Sequence, residues 1–255
     1  MEILVCVKRV PQVGGRIMVT PDGQEVDTRM SGFAISPHEE CAVEEAVQLT
    51  ERGGGRVSVL TLGPDGAEQQ LRDCLALGAG RAVLLETGGR EWGPIATAAA
   101  IVAEVRRQEA AGQPYDLLLL GNEAADTGDY QVGVRIAHEL GWPCATGIKK
   151  LQLADGAAEA RREYRGAEEV FGFPLPAVIT VKEGINLPRY PSLPGRLRAK
   201  RAAIERHEPQ WQPEGLRMRA LRVPETTRQQ AKVLGSGVDA VPALVDVLAE
   251  LGVLS

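Results

Sequence analysis

The sequence lacks the cysteine and histidine patterns that announce a metal or redox centre. Cys6, Cys41, Cys74 and Cys144 are scattered with no CxxC pair, which fits reduced thiols in a cytoplasmic protein better than disulfides or zinc. His38, His138 and His207 are equally dispersed and read as surface or internally satisfied histidines. No apolar run is long enough to span a bilayer. The start, MEILVCVKRV, reads as a strand, without the charged and apolar regions of a leader, so direct membrane insertion is not expected. Neither GxGxxG nor GxxxxGKS/T occurs, which removes the Rossmann dinucleotide fingerprint and the P-loop. GxSxG and HExxH are missing too, and no cysteine lies beside a plausible base, so no catalytic residues can be named.

What is present is an ordinary globular composition. The 255 residues are 44% apolar and 25% charged, enough to bury a real core in one large domain or in a domain with a long appendage. The 29 basic residues against 34 acidic ones give a net charge of −5, which argues against a general nucleic-acid binder.

Through residue 140, short apolar runs alternate with amphipathic stretches. Strands read at Ile3–Val7, Val57–Leu62, Ala82–Leu85 and Leu117–Leu120. The last is apolar at four consecutive positions, as in a parallel strand covered on both faces. Helices read at 38–52, 66–77, 94–110 and 130–140; in the first, Ala42, Val43, Ala46, Val47 and Thr50 share one face. This rhythm implies a doubly wound, mostly parallel α/β sheet with right-handed crossovers. Residues 16–29 read as an added hairpin turning at Pro21-Asp22-Gly23. Residues 147–181 switch to β, with a turn at Ala154-Asp155-Gly156-Ala157 and strands at Glu168–Phe173 and Ala177–Val181. Residues 205–238 look like an extended arm without its own core, followed by a helix at 240–251. The expected division is an α/β domain over 1–204 and a C-terminal arm over 205–255.

In open α/β sheets, ligands bind beyond the carboxyl ends of the strands. Three such ends have suitable chemistry for a nucleotide. The first is Val5-Cys6-Val7-Lys8-Arg9, a strand edge with backbone able to pair with an adenine and cations nearby. In the second, Ser36-Pro37-His38-Glu39, Ser36 suits an N-cap and Pro37 the first helical position. The best is Gly121-Asn122 through Asp126-Thr127-Gly128-Asp129 to Gln131-Val132-Gly133, which follows the most apolar strand and opens a helix. There Gly128 permits turns closed to other residues, Gly133 lets a ligand approach closely, and helix N-terminal amides attract phosphate. Asp126 and Asp129 would repel phosphate; they fit a helix cap, a ribose or the loop's own amides, leaving phosphate to backbone N–H groups and Thr127. The alternative is a plain strand-to-helix loop with an Asp cap.

Residues 178–201, VITVKEGINLPRYPSLPGRLRAKR, join a strand to a loop with Pro188, Pro191 and Pro194 and to Arg189, Arg196, Arg198, Lys200 and Arg201. Each proline disfavours helix at the residue before it, so Leu187, Tyr190 and Leu193 are expected to be extended. Rigid backbone carrying Tyr190 and Leu193 outward suits a docking surface, because less ordering entropy is lost on binding. The alternative is an ordinary proline-rich connector.

Taken together, VCVKRVP, SPHEECAVEEAVQL, the loop ending in DxxxxQVG and LPAVITVKEGINLPRYPSLPGRLRAKR resemble the β subunits of electron transfer flavoproteins, a family that includes the FixA-type proteins. The resemblance runs over nearly the whole chain, and its PRYxSLP core is specific. It implies an adenine nucleotide alpha hydrolase-like fold and a heterodimer with an α subunit that carries a redox-active FAD. Adenine-nucleotide contacts are implied around Cys6 and Lys8, at Ser36–Glu39, at Leu62-Gly63 and along Gly121 to Val134. Leu193 would anchor in a partner dehydrogenase or quinone oxidoreductase, from a docking loop over 182–198, and the arm after 205 would wrap the α subunit. Plain members hold AMP in the β site; bifurcating and FixA-type members hold a second FAD that accepts a hydride from NADH. The VKEGINLPRYPSLPGR wording and Gln131-Val132-Gly133 resemble the second group more, so FAD is expected and AMP is the alternative. The TGDY of the loop departs from both patterns, which leaves the contacts of Thr127 to Tyr130 open.

Two other functions compete. A nucleotide-sensing stress or signalling protein can use the same fold, but it explains neither the proline-rich loop nor the arm. A nucleic-acid binder using Arg189–Arg201 conflicts with the overall charge.

Overall fold

The computed structural model describes residues 1–12, 17–215, 218–224 and 231–254. Its strands and helices follow in chain order: β1 (Glu2–Cys6), β2 (Val10–Gln12), β3 (Gly32–Ala34), α1 (Pro37–Gly53), β4 (Arg56–Gly63), α2 (Glu68–Leu77), β5 (Arg81–Glu86), α3 (Pro94–Ala110), β6 (Leu117–Gly121) and α4 (Val132–Leu140). Then come β7 (Cys144–Ile148), β8 (Lys150–Ala154), β9 (Ala157–Tyr164), β10 (Ala167–Pro174), β11 (Ala177–Val181), α5 (Leu193–Arg201), β12 (Glu205–His207) and α6 (Val241–Glu250).

Seven strands form one sheet in the order β12-β5-β4-β1-β6-β11-β7, and every neighbouring pair is parallel. Strand alternation divides its side chains between two faces. Ile3, Val5, Val57, Val59, Leu117 and Leu119 join α1 and α2 in one core. Leu4, Cys6, Leu60, Leu118 and Leu120 join α3 and α4 in the other. Each fully buried leucine among them contributes about 1.5–3 kcal/mol of transfer free energy, which is why the continuous Leu117–Leu120 run reads so plainly as a central strand. Chain order puts β4 and β5 on one side of β1 and β6 on the other, so the strand order reverses between β1 and β6. That reversal is the topological switch point.

The three-stranded antiparallel sheet β10-β9-β8 holds the predicted hairpin at Asp155-Gly156, where both residues have positive φ (50° and 75°), as a type I′ turn requires. The 16–29 hairpin is present as a Val19–Val26 bridge with Thr20 and Glu25 paired through their backbones. Its first residue, Arg16, lies outside the described residues, as do parts of the expected 205–238 arm.

β11 lies inside the sheet, between β6 and β7. The structure corrects several expectations. Residues 205–207 belong to the α/β body, because β12 pairs with β5 through Glu205–Val83 to His207–Leu85. Leu193 is helical: it opens α5, with Ser192 Oγ accepting from Gly195 N–H at 3.1 Å. Pro194 is tolerated there because first-turn amides have no intrahelical partner to lose. β2, β3 and β7 were not expected at all.

Candidate functional site

At the switch point, the carboxyl ends of β1 and β6 face the start of α1. A polar cleft of about 390 Å³ opens there, bounded by Ser36, Pro37 and His38 on one side, by Glu123 to Gly128 on the other, and by Glu183 beyond the end of β11. The first two groups are the second and third sequence candidates, brought together from residues far apart in the chain. Glu183 was not anticipated; its only signal was its place just after a third parallel strand.

Two groups tie the cleft walls together. Ser36 Oγ accepts from Ala125 N–H at 3.0 Å, fastening the loop to the head of α1. Glu39 is buried, and its oxygens accept from the Ser36 and Lys8 backbone N–H groups, both at 3.0 Å. Burial pushes its carboxyl up to about 7, against the pull of those two amides and of Lys8. Gly121 is required here by close approach: a Cβ on it would lie 2.7 Å from Glu39 Cγ.

The loop spends several amides on itself. Gly128 N–H donates to Ala124 O, with Gly128 at φ +60°, and Thr127 N–H donates to Asp126 Oδ1 at 2.8 Å. Asp126 also forms an ion pair with Lys8 Nζ at 2.8 Å, so its charge is compensated within the site. The Ala125, Thr127 and Gly128 amides are therefore engaged, which corrects the expectation that this stretch leaves its amides to phosphate. The first-turn amides of α4 come before the first intrahelical bond, Arg135 N–H to Gln131 O, and are the better donors for an anion. Gln131 Oε1 accepts from Arg135.

Gly133 has a different role from the expected one. A Cβ there would meet Thr180 Cγ2 at 2.7 Å, so this glycine lets α4 pack on β11 rather than admitting a ligand. Thr180 Oγ1 donates to Asn122 Oδ1 at 2.9 Å and accepts from Gly147 N–H at 3.1 Å, holding the start of the loop. Cys6 is buried in the central strand, and burial, with Glu39 nearby, pushes its thiol up to about 12; the thiol is inert at neutral pH. The Val7 N–H is spent on Leu60 O. Leu62 and Gly63 end β4 on the far side of β1 and do not line the cleft, and neither do Asp129 and Val132.

One observation bears directly on a ligand. His38 borders the cleft, and among the described residues its Nδ1 is buried without a hydrogen-bond partner. An orphaned ring nitrogen costs free energy unless something outside the chain satisfies it.

The expected docking residues lie apart from the cleft. Tyr190 and Leu193 are 95% and 71% exposed. Arg189 does not belong with the outward cations: its guanidinium is paired with Glu44 at 2.9 Å and Glu51 at 2.7 Å on α1.

Sheet, layers and cleft define a doubly wound α/β protein with a polar site at its switch point. Residues 26–210 match the electron transfer flavoprotein domain family. The chain is similar to the electron transfer flavoprotein subunit beta of Bradyrhizobium diazoefficiens, 35% identical over the full length of both chains. It is 36% identical to that of Bacillus subtilis over 82% of this chain and 79% of the relative. It is also 36% identical to the mitochondrial subunit of Oryza sativa over 94% of this chain and 95% of the relative. The chain belongs to the electron transfer flavoprotein β-subunit family, and its function is electron transfer within a flavoprotein. Among the described residues no helix is long and apolar enough to cross a membrane.

Proposed function

We propose that this β subunit holds FAD at the switch-point cleft, with AMP as the alternative, and pairs with an α subunit that carries a further FAD. The observation that carries the reading is the cleft itself, walled by Ser36–His38 and Glu123–Gly128 at the switch point, where among the described residues the buried His38 Nδ1 has no hydrogen-bond partner. FAD and AMP share the adenosine monophosphate unit, and this chain's residues fit that unit. His38 would border the nucleoside, a phosphate reaching past the cleft lining would meet the first-turn amides of α4, and Lys8 keeps Asp126 from repelling it. The cleft also carries Glu123 and Glu183, so phosphate binding rests on backbone amides more than on side-chain cations. The flavin supplies one- and two-electron redox chemistry when bound; the residues described here bind and orient it.

The same reading gives Tyr190 and Leu193 the role of docking an electron-exchange partner, a dehydrogenase or a quinone oxidoreductase. Their exposure supports it, since an apolar anchor must be free in the unbound protein. The VKEGINLPRYPSLPGR wording favours the bifurcating or FixA-type branch, with NADH as donor. The test is to co-express the chain with its α subunit, denature the purified heterodimer and count the released nucleotides. Two flavins per heterodimer support a bifurcating protein; one flavin with AMP supports the plain carrier. Absence of any adenine nucleotide from this subunit would sink the proposal.

A further inference from the structure

The segment that presents Leu193 is fixed at both ends and bare in the middle. Downstream, α5 lies so close on α2 that a Cβ on Gly195 would come within van der Waals overlap of Ala76 O, and Arg72 Nη1 donates to Ala199 O at 2.7 Å. Upstream, Asn186 Nδ2 donates to Cys41 O at 3.0 Å and to Glu45 Oε2 at 2.9 Å, both on α1. Three residues on, Arg189 grips the same helix. Its backbone N–H and Nε donate to Glu44 Oε2 at 3.2 and 2.9 Å, and its Nη1 and Nη2 donate to Glu51 at 2.7 and 2.8 Å. Between these anchorages Leu187, Tyr190 and Leu193 stand 89%, 95% and 71% exposed.

We infer that Arg189 is a positioning residue: by clamping the loop to Glu44 and Glu51 of α1 it holds Tyr190 and Leu193 in the docking arrangement before a partner arrives. This rests on the docking role given above to Leu193. The chemistry suits a clamp. Glu44 is buried, so burial pushes its carboxyl up, yet the bonds from Arg189 and Gln48 outweigh that and hold it below its ordinary value. A planar guanidinium can serve both carboxylates at once, which a lysine ammonium cannot do with the same geometry. Without the clamp, each docking event must order the loop, and affinity falls by that ordering cost. Arg189 itself then has no need to touch the partner.

The experiment uses the full chain and its α-subunit complex, with Arg189→Gln, Arg189→Lys, Glu51→Gln and Leu193→Ala variants. Hydrogen exchange reads the clamp without any partner. Arg189→Gln is expected to speed exchange of the residue 189 amide, which donates to Glu44 Oε2, by tenfold or more. Arg189→Lys and Glu51→Gln should act in the same direction but less, while exchange in β11 and along α1 stays unchanged. Should Arg189→Gln not fold, Glu51→Gln carries the test, because Glu51 is on the exposed side of the clamp. Unchanged exchange of the residue 189 amide in the variants overturns the inference. Docking is then read by titrating the heterodimer against a purified acyl-CoA dehydrogenase as probe. A positioning role predicts that Arg189→Gln weakens docking in the parent but adds little in the Leu193→Ala background; fully additive losses overturn it. If Leu193→Ala docks as tightly as the parent, the docking role of Leu193 fails, while the exchange result still decides the clamp.

Discussion

Gly121, the last residue of β6, is in contact with Glu39 of α1, and a Cβ added to the glycine would lie 2.7 Å from Glu39 Cγ and 3.2 Å from its backbone nitrogen. The central strand and the head of the first helix therefore touch at the point where the cleft begins. Gly121→Ala should destabilise the protein by roughly 1–3 kcal/mol through overpacking and lower its nucleotide content. Urea unfolding and nucleotide release measure the two effects; a neutral outcome on both would show that the contact relaxes freely.

Gly133 packs α4 against β11, and that role can be separated from a ligand role. Gly133→Ala should cost about 1–3 kcal/mol because of Thr180 Cγ2. Thr180→Ser removes that methyl while keeping the hydroxyl that bonds Asn122 and Gly147, so the double variant should regain most of the loss. Thermal unfolding of the single and double variants decides it, and failure of the rescue returns Gly133 to the ligand side.

The raised Glu39 carboxyl has a defined signature in pH. Its folded value of about 7 lies above the ordinary 4.5, so the native state holds the proton more tightly than the unfolded chain. The associated stability is present below pH 4.5 and is lost as pH rises towards 7. Glu39→Gln cannot titrate, so the stability difference between parent and variant should shift by on the order of 2–3 kcal/mol across that window. Denaturation curves at several pH values read this; parallel behaviour of the two proteins would contradict it.

Leu193→Ala should leave folding and nucleotide content unchanged while weakening docking to the partner by about 2–4 kcal/mol, the range of an interface hot spot. Its exposure of 71% makes a large folding defect unexpected. A drop in melting temperature of many degrees would mark Leu193 as a residue of the fold instead.

What is legible in the sequence is mostly what is encoded locally. Leu117–Leu120 announced a doubly covered strand by its unbroken apolar run, and Asp155-Gly156 announced its hairpin by tolerance of positive φ. Ser36-Pro37 marked the head of α1 because capping chemistry lies within a few residues. The misses depend on distant partners. Glu205-Arg206-His207 has no apolar pattern; it is a strand because β5 offers a free edge and Arg206 finds Asp65, Glu68 and Glu86. The proline after Leu193 favours an extended residue there, but Ser192 and the close seat on α2 outweigh that local preference. Glu183 and the Arg189–Glu44 pair join residues that only the folded sheet brings together, and nothing in their spacing announces them.

β12 is the outermost strand on its side of the sheet, three residues long, and all three of its side chains are ionisable. A long apolar border with unpaired amides is a template on which other chains can add strands. Here the border is short and studded with ion pairs, from Arg206 to Asp65 and Glu86 and from Glu205 to Arg81. Beneath it lies β5, whose Ala82–Leu85 segment is buried and entirely apolar. The short strand that follows α5 thus acts as a guard against self-association. A chain cut short before residue 205 would expose β5 and become prone to aggregate, even with its cleft and the 187–193 loop intact.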